Sequence, residues 1–260
     1  RFFRPALLDE FNYTNTMLGY AFTTYGLVAL ISYFPGGYIA DRYDTKKLLC
    51  ISLALTSLGG MLLLLKPNFY FLCLIYAYWG ITSILFCWSA LIKATRIIGK
   101  EKQGLSFGIL EAGRGLVASV LSSIAVIIYS NFLLKNFFNS LLGKEHSSLY
   151  YVICFYSLIT FISAIIVWYF YNSDKISRKN NKHENFKSSI IKVFKYYKII
   201  IPQAIIVFTA YSAYKGIDYY TQFFYEILNY SKEQAAKTMS NFSYLRPLCA
   251  ILAGIIADKY

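Results

Sequence analysis

Residues 37–43 read Gly-Tyr-Ile-Ala-Asp-Arg-Tyr, and residues 254–260 read Gly-Ile-Ile-Ala-Asp-Lys-Tyr. The same offset of 217 residues lays Asn12-Tyr13-Thr14 on Asn229-Tyr230-Ser231. Over the 35 positions aligned there are seven identities, and they cluster at the two ends of one apolar stretch. A single ungapped shift serves both clusters. Parallel repeats of this length arise in membrane proteins built from two similar helix bundles.

The composition around the repeat points the same way. Of the 260 residues, 57% are hydrophobic and 15% are charged, against about 45–50% and about 25% for a soluble domain. Crossing a hydrocarbon core takes about 20 mostly apolar residues. Seven stretches qualify: 17–39, 46–65, 69–95, 104–133, 150–171, 198–228 and 238–257. Backbone groups find no water in lipid, so these stretches are expected to be helices. They are too long, and alternate too little, for the roughly ten-residue strands of a barrel. The fold class expected is therefore all-α and polytopic, and a soluble enzyme is excluded.

The net charge of +13 would suggest a nucleic-acid partner in a soluble chain. Its distribution argues otherwise. If the connections alternate sides, sixteen basic residues fall on the side of Arg42, Lys46, Lys47 and Arg96, seven on the other, and three inside spans. By the positive-inside rule the first side is cytoplasmic. The basic excess is thus topology, and no nucleic-acid partner is expected. Five cysteines sit in or beside apolar segments without a close pair, and His146 and His183 stand alone in loops. Neither a metal constellation nor a cofactor motif is present. The segment 172–197 is the long polar linker, and Phe186, Ile190, Ile191, Phe194 and Tyr197 recur in it at helical spacing among lysines. Such a segment suits a helix on an anionic leaflet, or a solvated spacer.

The repeated stretch resembles the signature of the major facilitator superfamily, Gly-x-x-x-Asp-Arg/Lys-x-Gly-x-Arg/Lys-Arg/Lys. It is matched by Gly37, Asp41, Arg42, Lys46 and Lys47, and in shortened form by Gly254, Asp258 and Lys259. One position departs: the central glycine is Asp44, a side chain that tolerates a left-handed turn. The resemblance implies two six-helix bundles, with this chain running from the end of the first helix to the end of the eighth. Residues 1–171 then belong to the first bundle, 172–197 to the linker and 198–260 to the start of the second. It implies a gating role for the signature. Asp41 would pair with a basic residue, for which Arg96 is placed, or cap a neighbouring helix, and Gly37 would admit a second helix closely.

Charges inside spans are costly and mark function. Glu111 and Arg114 lie three apart on one helical face, with Arg114 ten residues in from Gly104, near mid-bilayer. Arg246 precedes Pro247, as a cavity-lining cation beside a helix break would. Tyr211, Lys215, Asp218 and Gln222 follow at steps of four, three and four, which predicts one polar stripe. Three cations against two acids favour an anion. The stretch Asp9 to Tyr13 with Leu18, Gly19, Tyr25 and Gly36-Gly37 looks like the organic-anion and sugar-phosphate branch, whose seventh helix carries a substrate-clamping cation approximately where Lys215 stands.

The function expected is secondary transport of a small polar, anionic solute by alternating access, by a monomer in the cell membrane, without cofactor. Arg114, Lys215, Arg246 and Tyr211 would bind the solute, and Glu111 and Asp218 are the acids that could carry a coupling proton. Proton symport and exchange both stay open. The alternatives are a transporter-like solute sensor or receptor, and a carrier of neutral sugars.

Overall fold

The computed structural model describes residues 2–142, 145–171 and 196–259. Every regular element among them is helical. A short α1 (Arg4–Phe11) leads into α2 (Asn15–Arg42) and α3 (Thr45–Leu63), followed by α4 (Phe69–Gly99), α5 (Gln103–Ser130) and α6 (Phe132–Leu142). After them come α7 (Ser148–Phe170), α8 (Tyr197–Gly216), α9 (Tyr220–Glu226) and α10 (Lys232–Lys259). Six of these (α2, α3, α4, α5, α7 and α10) are long and apolar enough to cross a membrane. Leu30, Ile31, Phe34, Leu248 and Leu252 remain exposed on them. Such surfaces are suited to lipid, where their exposure carries no hydrophobic cost.

Local chemistry sets the helix starts. Thr14 accepts from the Met17 amide to open α2, Asn68 from Phe71 to open α4, and Ser147 from Tyr150 to open α7. Each satisfies one of the amides a helix start leaves without a partner. Asp44 does the same for α3, accepting from the Lys46 amide at 2.9 Å. Its φ of −63° is ordinary extended-side backbone. The departure from the family's glycine is therefore filled by a cap, and no left-handed turn is needed there.

The repeat is visible in the backbone. Asn12 and Asn229 both adopt φ 54°, a left-handed conformation that asparagine tolerates better than most residues. Two residues on, Thr14 and Ser231 each cap the next helix, Ser231 in a reciprocal capping box with Gln234. The same chain reversal thus enters α2 and α10.

Three interruptions break the regular helices. Pro247 lacks the amide a helix interior needs, and α10 pauses at Tyr244 between the helices Lys232–Ser243 and Leu245–Lys259. In α4 a π-helical segment, Ile81–Trp88, lies between two α-helical parts. The stretch 198–228, read as one span, is divided: α8 ends at Gly216, and a 3-10 turn over Ile217–Tyr219 leads into α9. The amphipathic pattern at 186–194 and most of the linker lie outside the described residues.

α2 packs along α4, α3 along α7, and α5 along both parts of α10. The main core gathers at the end of the molecule where Tyr13 lies, with Leu18, Leu72, Val152 and Ala236 buried in it. At the opposite end a smaller core holds Ala40, Leu48, Leu49 and Ala90.

Candidate functional site: a charged cluster at the α5–α10 seam

Small residues bring α5 and α10 together. A Cβ on Gly254 would sit 2.7 Å from the Gly104 carbonyl oxygen and 3.0 Å from Gly108 Cα. Only hydrogen fits there, as at other close helix crossings in membranes. Further along, Ser243 donates to Ser119 at 2.7 Å, and the hydroxyls of Ser122 and Ser240 lie 2.6 Å apart. The seam is thus glycine-packed at one end and hydroxyl-linked at the other.

Between these halves sits a charged cluster. Glu111 accepts from Arg114 with one carboxylate oxygen and from Arg246 with the other, the latter at 2.6 Å. Arg246 also donates to the Tyr214 hydroxyl at 2.6 Å, and its guanidinium lies 5.0 Å from that ring's centre. Arg114 stacks on Trp88 at 4.5 Å. Four helices converge here: α5 gives the acid and one cation, α10 the second cation at its break, α8 the tyrosine, and α4 the tryptophan at the end of its π-helical segment. A Cβ on Gly115 would lie 3.3 Å from Arg246 Cγ, so this glycine leaves room for the arginine stem to cross α5. The side chains stay open to a ligand: Arg114 is 43% exposed, Arg246 31% and Glu111 33%.

The sequence-expected residues divide accordingly. Glu111, Arg114 and Arg246 meet. Lys215 lies on α8 with its amine 5.8 Å from the centre of the Tyr211 ring, and Tyr211 in turn packs near Tyr214 at 5.9 Å. Lys215 and Tyr211 are therefore one tyrosine removed from the charged cluster. Asp218 falls in the 3-10 turn, with its side chain outside the described part. The polar stripe is broken at that turn. Gln222, beyond it on α9, is buried and donates to Glu226 at 2.5 Å.

At the end where Asp41 lies, the two copies of the signature behave differently. Asp258 accepts from the backbone amides of Gly104 and Leu105, both at 2.7 Å, and so caps α5 across the seam. A carboxylate there also meets the positive end of the helix dipole. Among the described residues, the Asp41 carboxylate has no hydrogen bond or ion pair, and Arg96 does not reach it; Lys93 donates instead to the Ala40 carbonyl at 2.6 Å. Arg42 covers the Tyr38 ring at 4.1 Å, Lys46 stands 5.2 Å from the Trp168 ring, and Lys47 and Lys259 are exposed. Close approach falls to the neighbour of Gly37: nothing lies within 4 Å of a Cβ there, whereas Gly36 faces Ser89 and the Leu85 carbonyl.

Sequence reasoning missed the contacts at the other end. Arg4, only 6% exposed, donates to Asn15 at 3.1 Å and stacks on Tyr219 at 4.6 Å. Asn15 donates to Glu226 at 3.3 Å, and Lys232 pairs with Asp9. Arg4, Asn15, Tyr219 and Glu226, together with Gln222 and Phe223, border a cleft of about 460 Å³. Sequence alone places Arg4 only among the charges outside the spans. Its one sequence signal, a cation five residues before the acidic pair Asp9-Glu10, is too common to single it out.

The sequence profile of the Major Facilitator Superfamily matches residues 2–260. The chain belongs to that family. It is 28% identical over 255 residues to the inner membrane protein YqcE of Escherichia coli, covering 94% of this chain and 56% of that one. It is also 28% identical over 259 residues to E. coli inner membrane protein YihN, covering 96% and 58%. A third relative, the uncharacterized protein MG294 homolog of Mycoplasma pneumoniae, is 34% identical over 119 residues, covering 38% of this chain and 25% of that one. No solved structure gives a significant match. The chain spans little more than half the length of the two E. coli relatives. Members of this family are membrane transporters, and the six apolar helices make this chain an integral membrane protein.

Proposed function

We propose that the whole protein is a secondary transporter of the inner membrane that moves a small anionic solute by alternating access, with its basic loops in the cytoplasm. The supporting observation is the charged cluster. Two guanidiniums from opposite sides of the seam meet one carboxylate, so the cluster carries a residual positive charge where the two halves of the molecule touch. A solute held there contacts both halves at once. Arg114 and Arg246 bind its anionic group by paired N–H donors, the geometry at which arginine excels. Lys215 and Tyr211 form the neighbouring wall, and Tyr214 orients Arg246.

The signature residues gate this site. Asp258 latches α10 to the start of α5, with Gly254 allowing the contact and Lys259 beside it. By the repeat, Asp41 would latch the matching helix of the second bundle, with Gly37, Arg42, Lys46, Lys47 and Arg96 around it. Proton coupling, if the carrier uses it, would run through Glu111 or Asp218, and exchange requires neither.

A thermal-shift screen of the full-length purified protein tests the reading, with carboxylated, sulfonated and phosphorylated metabolites set beside their neutral parents. A ligand at about 100 times its dissociation constant stabilises by about 2.7 kcal/mol. We expect shifts from anions alone, abolished by Arg246→Ala and weakened by Lys215→Ala. Equal shifts from neutral sugars would make the intramembrane cations structural and leave a sugar carrier or solute sensor.

A further inference from the structure

The cluster contains a counter-charge that travels with the site. Glu111 is three residues from Arg114 on the same helix, and each of its carboxylate oxygens is already committed to one guanidinium. Arg246 spends one further N–H on Tyr214, and Arg114 lies against the face of Trp88. Among the described residues these contacts close the set around Glu111: two positive charges, one negative, and two aromatic side chains that add none. A guanidinium has five N–H groups, and only part of that capacity is engaged here, so both cations can still accept an external anion while Glu111 stays in place.

We propose that Glu111 fixes the valence of the accepted solute at one. The cluster is then a site for a singly ionised head, a carboxylate or a sulfonate, and it excludes the doubly ionised phosphate monoester. The proposal rests on the anion-binding reading above and deepens it. A single negative charge brings the cluster to neutrality, and its desolvation is met by N–H donors from both arginines. Among the described residues no third cation pairs with Glu111, so a second negative charge on the solute exceeds what the cluster itself offers. It would be brought close to the Glu111 carboxylate, which repels it, and it would shed a larger hydration shell on entry. Lys215 sits against the Tyr211 ring, one tyrosine removed from the Glu111 cluster.

The experiment is equilibrium binding to the full-length protein at pH 8 with four probes of similar size: glycerate, 3-hydroxypropane-1-sulfonate, glycerol 3-phosphate and glycerol. The phosphate ester, whose second pKa is about 6, is doubly ionised at this pH. The wild type should bind glycerate or the sulfonate at least tenfold more tightly than glycerol 3-phosphate. Glu111→Gln, which keeps the shape and removes the charge, should cut that ratio at least tenfold by gaining the phosphate ester. Glu111→Asp, which keeps the charge, should retain the preference and guards against a Gln variant that fails to fold. If the wild type binds glycerol 3-phosphate as tightly as the singly charged probes, or if Glu111→Gln leaves the ratio unchanged, the valence proposal is overturned while anion binding stands. If glycerol binds as well as every anion, or no probe binds, the anion reading falls and takes the proposal with it.

Discussion

Arg246 carries more of the site than any other residue, and its neighbours explain why it can. It stands where α10 has lost its regular ladder before Pro247, beside a glycine that leaves room for its stem. Arg246→Ala removes hydrogen bonds to Glu111 and Tyr214, and charge-assisted bonds are each worth about 1.5–3 kcal/mol. We predict that isothermal titration will show a loss of anion affinity of at least about tenfold, since 1.4 kcal/mol is a factor of ten. Arg246→Lys keeps the charge but not the planar fork, so it should recover only part of that affinity. The site was partly legible at this scale. An arginine before a proline and an i, i+3 acid–cation pair are sequence signals, and they led to Glu111, Arg114 and Arg246. Trp88 and Tyr214 carry no such signal, because aromatic residues are common throughout the chain and only the fold selects these two.

At the scale of the helices, the glycines give the clearest contrast. A Cβ on Gly254 would collide with backbone atoms of α5, which cannot rotate away, whereas one on Gly37 meets open space. Gly254→Ala should therefore lower the melting temperature by forcing α5 and α10 apart. Gly37→Ala should leave it unchanged or raise it, since alanine favours a helix over glycine by about 1 kcal/mol. Parallel melting curves of the two purified variants check this. Asp258→Ala should also destabilise, by about 1 kcal/mol for a lost cap, and should increase cysteine labelling at that end of the seam. Element boundaries were largely legible because apolar runs mark them, while the caps Thr14, Asn68 and Ser147 fix the exact starts. The division of 198–228 was not, since Gly216 is a weak breaker and aromatic residues continue on both sides of it. The expected pairing of Asp41 with Arg96 failed to appear for a related reason. Sequence shows which residues lie at one end of the bundle, but helix rotation decides which of them face one another.

Across the whole molecule, the repeat proved the most informative reading, because the same left-handed asparagine and hydroxyl cap recur at Asn12–Thr14 and Asn229–Ser231. Small residues and hydroxyls hold a long seam between α5 and α10, which the proposed transport cycle would have to loosen. The hydroxyls of Ser122 and Ser240, 2.6 Å apart across it, place two side chains where cysteines could bond. The double variant Ser122→Cys, Ser240→Cys should transport when reduced, stop when oxidised, and recover with dithiothreitol. The most direct test of the central claim is counterflow in proteoliposomes holding the full-length protein, loaded with an unlabelled anion that the thermal screen identifies. The account predicts transient accumulation of the external labelled anion, absent with Arg246→Ala and not competed by its neutral parent. Binding without any counterflow would contradict transport, and counterflow unaffected by Arg246→Ala would contradict the site.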